Sequence, residues 1–225
     1  MLHPKYALDV WHYKRAFQII EGDLREIFTY IEPSCQNFPC FSYKISGLLN
    51  RICIEIEANF KAILKENAYS RSPSKMSMAD YHKVEASHFL SGYEMRFAVW
   101  YGQSVVFRPF SSWTKSDEAT SPAWYKAYNS AKHDRHSSFA QSATFEHLLN
   151  AYCGLAVLIW SQFGDASSPG PFLLSLGKAI IYPDFEFGPL DSTLIKPPVF
   201  PAADRYDFDW QQIGTDSDPF QSFPY

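Results

Sequence analysis

Cysteine is scarce in this chain: four thiols, at positions 35, 40, 53 and 153, in 225 residues. They are too few and too scattered for a disulfide framework and read as reduced thiols. Cys35 and Cys40 with His3 or His12 have no metal-ligand spacing. Cys153 and His147, six residues apart on one helix, face different sides and make no nucleophile pair. No metal and no cofactor are expected. Long apolar runs are missing as well. The most hydrophobic stretch, Leu148 to Trp160, falls short of the roughly 20 residues that cross a bilayer and reads as a buried core helix. The amino terminus carries Asp9, Lys14 and Arg15 without the apolar core of a signal peptide, so the expectation is a soluble, cytoplasmic chain with no membrane association. There is no glycine-rich phosphate loop, no internal repeat and no basic excess, the net charge being −4.

What the sequence has is aromatic side chains: 19 Phe, 14 Tyr and 6 Trp within a hydrophobic fraction of 46%, which excludes global disorder. Tyr6, Val10, Tyr13, Phe17, Ile20, Leu24, Ile27 and Ile31 recur at steps of three and four and predict a helix over 6–31, ended by Pro33. Ile45, Leu48, Leu49, Ile52, Ile56, Phe60, Ile63 and Leu64 predict a second helix over 42–66. A serine- and lysine-rich loop follows. Ser77 and Asp80 mark the start of a short helix that stops before Gly92. The period then changes to two: Tyr93, Met95, Phe97, Val99 and Tyr101 predict a strand, and Val105 to Phe107 its return. Ser121 and Pro122 open a helix expected to reach His136, and Phe145, Leu148, Leu149, Tyr152, Leu155, Ile159 and Phe163 another over 143–163.

The fold class is therefore mainly α: a helical bundle with an inserted β-hairpin and an extended C-terminal tail. The bundle takes residues 1–166 with the insertion at about 93–110, and the tail takes 167–225. Prolines at 183, 189, 197, 198, 201, 219 and 224 exclude regular helix there, and only Lys178 to Tyr182 looks strand-like. The tail is acidic, with eight Asp and Glu against Lys196 and Arg205 over 184–225. Its aromatics, among them Phe185, Phe187, Phe200, Tyr206, Phe208 and Trp210, favour docking along the bundle, with carboxylates near basic side chains of the body.

Chemistry concentrates in the segment Trp124 to His136. At 100° per residue Tyr125, Asn129, Lys132, His133 and His136 share one side, while Trp124, Ala127, Tyr128 and Ala131 share another. Asn and His are weak helix formers, so packing or function must account for them. They hydrogen-bond across a bundle or face water in the structural reading. In the functional one His133 is an acid–base near neutral pH and Lys132 or Arg135 steadies phosphate charge, the elements needed to cleave RNA through its 2′-hydroxyl. Asn59 interrupts the apolar stripe of the second helix with Glu55 at its edge. It is either a polar register pin or a residue that orients the Asn129/His133 face.

This order of helices, with a polar-residue-x-x-x-His element at Asn129 and His133 ahead of a strongly apolar helix, resembles the HEPN superfamily over roughly residues 5–163. The resemblance implies a metal-independent RNase fold that works as a homodimer in toxin–antitoxin or phage-defence systems. The family pattern has arginine where this chain has Tyr128, and tyrosine lacks the fixed positive fork that holds a phosphate. Asn129 and His133 are the catalytic candidates. Lys132, Arg135, His136, Tyr128, Asn59 and Glu55 are the binding candidates. The favoured expectation is a catalytically silent nucleotide- or RNA-binding module; the alternatives are an endoribonuclease using His133 and a scaffold that engages a partner protein.

Overall fold

In a computed structural model, which describes residues 10–114, 120–133, 135–163, 186–187, 193–199, 217 and 222–225, the two long apolar stripes fold as helices. Helix α1 (Val10–Phe28) buries Phe17, Ile20, Leu24 and Ile27. Helix α2 (Tyr43–Glu66) buries its whole predicted stripe from Ile45 to Leu64. The expected first turns of α1, from Tyr6, lie outside the described residues. Ser42 caps α2: its Oγ accepts the Ile45 N–H at 3.1 Å, which satisfies one of the donors that a helix start leaves unpaired. Ion pairs Arg51–Asp23 and Lys44–Glu26 show that α1 and α2 run antiparallel.

Ser77 and Asp80 form the expected capping box at the start of α3 (Met78–Tyr81), which passes through a 3₁₀ turn into α4 (Glu85–His88). Asp80 also accepts from Tyr69 Oη at 2.9 Å and from Arg71 Nη1 at 3.1 Å, so the preceding linker is tied to the bundle. Helical structure over the expected 122–136 span is described as α5 (Ala123–His133) and α6 (Arg135–Ser142), with Asp134 between them outside the described residues. Helix α7 (Phe145–Phe163) follows, and every residue from Ala151 to Trp160 is buried. It packs against α1, α2 and α5.

The β element sits where the two-residue period placed it, but its main partner comes from far along the chain. Strand β1 (Glu94–Phe97) pairs antiparallel with β3 (Thr193–Lys196), which pairs with β2 (Glu186–Phe187), giving the order β1-β3-β2. The register sets Glu94 against Lys196 and Phe97 against Thr193. The expected return strand contributes one bridge, Met95 with Phe107, closed by N–O bonds of 2.9 and 2.8 Å. Pro109 has no N–H to extend it. The protein is thus mainly α, a helical bundle with a small antiparallel β insertion, and none of its described helices is long and apolar enough to cross a membrane.

Described parts of the C-terminal region lie against this body. Beyond β3, Pro198 sits so close to Gly92 that a Cβ there would fall 2.6 Å from its ring. The Phe223 N–H donates to Asn67 Oδ1 at 2.7 Å, and Tyr225 Oη meets Ser87 Oγ at 2.5 Å. Lys178–Tyr182 and seven of the eight acidic residues of 184–225 lie outside the described residues, and of the eighth, Glu186, only the strand pairing is described.

Ser87 Oγ also meets His88 Nδ1 at 2.7 Å, and burial pushes the His88 imidazole down from 6.5 to about 4. His88 is therefore neutral in the fold but takes a proton in the unfolded chain below its ordinary value. Its contribution is whole above pH 6.5 and is lost as the pH falls toward 4. Glu85, pushed up by burial, acts in the opposite direction in the carboxylate range. Urea unfolding should show about 2 kcal/mol less stability at pH 5 than at pH 7 from His88, before Glu85 offsets part of it. His88→Asn should flatten that difference; an unchanged pH dependence would show that His88 does not control it.

Candidate functional site

The N-terminal half of α5 is clamped onto the bundle by its aromatics. Trp124 Nε1 donates to the Pro109 carbonyl at 2.9 Å, and its ring stands edge-on to Phe110 at 5.8 Å. Gly154 of α7 makes room for it: a Cβ there would lie 3.2 Å from Trp124 Cζ2, so α5 and α7 approach closely at this point. One step along, Tyr125 Oη donates to Glu57 Oε1 of α2 at 2.9 Å, and Lys61 Nζ lies 3.4 Å from Glu57 Oε2. Tyr125 is 8% exposed, which corrects the helical-wheel reading that set it on the polar side with Asn129 and His133.

Tyr128 also turns inward and is 4% exposed. Burial, then the charge of Glu57 and the Cys53 sulfur, pushes its hydroxyl up to about 12. Burial and then Glu57 push up the hydroxyls of Tyr81 and Tyr125 too. Three phenols thus surround one carboxylate, and all three are protonated at neutral pH. Tyr125 donates to the carboxylate, and all three present apolar surface instead of a base. Sequence reasoning missed Glu57 and Tyr81. The legible signal was Glu57 with Lys61 at i, i+4 and Tyr125 with Tyr128 at i, i+3, each pair on one side of its helix.

The last turn of α5 emerges from the bundle. Asn129 is partly buried, and Lys132 and His133 are exposed. Asn129 and His133 are one helical turn apart, about 6 Å along the axis. Lys132 Nζ lies 5.5 Å from the centre of the Tyr128 ring, within reach of its π face. Basic residues in a last turn also suit the negative end of the helix dipole, which by itself accounts for their type. Arg135 and His136 fall in the first turn of α6, and their side chains lie outside the described residues.

Asn59 is 1% exposed, and its partners are not on α5. Its Nδ2 donates to the Glu55 carbonyl at 2.8 Å, and its Oδ1 accepts from Gln162 Nε2 of α7 at 3.3 Å. The expected bond from Asn59 to the 122–136 helix is replaced by one to α7, because the amide lies on the strip of α2 that α7 covers. Glu55 serves this contact through its backbone. The fold therefore gathers Asn129, Lys132 and His133 at one outward position, while Tyr128 and Asn59 belong to the interior. Among the described residues no group of three His, Cys, Asp or Glu is arranged to hold a metal ion. Comparison of the chain with protein-family models, with characterised proteins and with solved structures gave no match in any of the three.

Asn59→Leu removes one acceptor from Gln162, which keeps its 3.0 Å bond to the Leu158 carbonyl, so the loss should be about 1 kcal/mol. Asn59→Asp places a charge in the same strip and should cost clearly more. Chemical denaturation of both variants checks the order, and a reversed order would show that the amide pairing is not what Asn59 contributes.

Proposed function

We propose that the protein is a binding module, similar to the HEPN superfamily, that takes the phosphate of a nucleotide or RNA on the outward end of α5 and does not cleave it. The reading rests on one contrast. Lys132 and His133 stand exposed while Tyr128, at the arginine position of the family pattern, is buried beside Glu57 and Tyr125. A flexible ammonium attracts a phosphate as a point charge, and an imidazole N–H can donate a hydrogen bond to it. Cleavage asks for more: a fixed donor fork beside the acid–base to hold the transition-state charge, and a buried, protonated phenol does not supply one. Asn129, half-exposed one turn before His133, adds an amide that recognises sugar or base edges. The resemblance associates such modules with stress and phage defence.

Fluorescence anisotropy with a labelled single-stranded RNA, over a salt series, tests the reading. Lys132→Ala/His133→Ala should weaken binding about tenfold or more, and Lys132→Ala alone should lower the salt slope by about 0.7 for the phosphate contact it removes. The RNA should stay intact throughout. Undiminished binding by the double variant would sink the proposal. RNA cleavage that disappears in His133→Ala would establish the endoribonuclease instead.

A further inference from the structure

Around the start of α2 a group of aromatic rings lies together and faces solvent. Phe41 and Tyr43 are 51% and 74% exposed, and the half-buried Phe139 of α6 touches both, its ring centre 5.9 Å from that of Phe41 and 4.6 Å from that of Tyr43. Single exposed aromatics are ordinary on a protein surface, but rings gathered in one open patch mark a contact surface. Phe139 supports the Tyr43 ring at an interplanar angle of 33° and leaves most of that ring open. The same stretch of chain carries cations to this patch. Glu57 meets Tyr125 and Tyr43 meets Phe139, and as many residues separate Glu57 from Tyr43 as separate Tyr125 from Phe139. α5 and α6 therefore follow α2 in the opposite direction, toward its N-terminus, and Lys132 and His133 come between the two anchored ends.

Charge along this course has one sign. Lys126, Asn129 and His133 recur at steps of three and four on the outward side of α5 with Lys132 beside them, and Asp134 is the one acidic residue of the sequence from Ser121 to Phe145. That reverses the balance of the whole chain, whose net charge is −4. Lys44, next to Tyr43, is paired with Glu26, so the patch itself offers rings and not charge. At about 1.5 Å of rise per residue the row from Lys126 to Phe139 is roughly 20 Å long, more than one nucleotide spans. A duplex hides its base faces in its own stack and turns only edges outward. We propose that row and patch form one track for single-stranded RNA, its phosphates following Lys126, Lys132 and His133 and an unstacked base lying on the Tyr43 ring. The inference rests on the phosphate binding read above at α5 and adds the class of ligand: a strand with free base faces, in place of a mononucleotide or a duplex. Every base has a π face, so the stack is tolerant of sequence.

Fluorescence anisotropy of the full chain with a labelled single-stranded RNA, and with an abasic strand of the same length, separates the rings from the cations. The RNA should bind about tenfold more tightly than the abasic strand, which keeps the phosphates and lacks the bases. Tyr43→Ala should weaken the RNA about tenfold, leave the abasic strand where it was and leave the salt slope unchanged, because stacking releases no counterions. Tyr43→Phe should retain the wild-type affinity, since the ring and not the hydroxyl stacks, and circular dichroism should show both variants folded. Lys126→Ala should instead lower the salt slope by about 0.7. Binding that needs Lys132 and His133 but is equal for the two strands, or is untouched by Tyr43→Ala, would overturn the track and leave phosphate binding at α5 standing. Failure to bind either strand would remove both.

Discussion

Helix α7 has no polar side in its central part, and that constraint organises the molecule. A helix apolar all round is stable in water only if other elements cover every face of it. α1, α2 and α5 do so, and Tyr152 shows how closely: its ring lies 5.5 Å from Phe17 and 6.0 Å from Phe97, and its hydroxyl donates to Glu21 at 3.4 Å. The β insertion belongs to the same covering, since Met95 and Phe97 of β1 are buried in the common core.

The covering helices have to be both greasy and distinguishable, and the buried polar groups serve the second need. Three polar groups at the helix contacts are matched to a partner on another helix: Glu57 with Tyr125, Asn59 with Gln162, Glu21 with Tyr152. A slip of one helix along another would strand these groups, which costs more than an apolar mismatch. The tyrosines suit the task because a protonated phenol brings a large apolar surface and one donor.

Covering α7 also decides what α5 has left to show. Trp124, Tyr125 and Tyr128 are spent on the interior, so of the candidate residues on α5 only Asn129, Lys132 and His133 reach solvent. The outward face of α1 and α2 is the reverse case: two helices whose inner stripes complete the core and whose outer stripes keep apolar corners and open glycines.

The helices were legible in the sequence because hydrophobic period reports which side of a helix is buried. Ser42 and the Ser77–Asp80 box were legible because capping is decided within four residues. The apolar run 148–160 read as a core helix on length alone. The period could not say which buried stripe meets which, so Asn59 was visible as an anomaly while its partner on α7 was not. Tyr125 falls with the polar residues on a helical wheel, and its inward position goes with its bond to Glu57 on the neighbouring helix, a contact the period does not show. The partner of β1 lay almost one hundred residues downstream, beyond any local signal, because strand pairing is a long-range contact that hydrogen-bond geometry selects after the chain has folded around it. Sequence by itself determined the elements and their buried sides; the tertiary structure decided the pairings, and with them which polar residues are held in the interior and which reach solvent, because a pairing depends on contacts far apart along the chain.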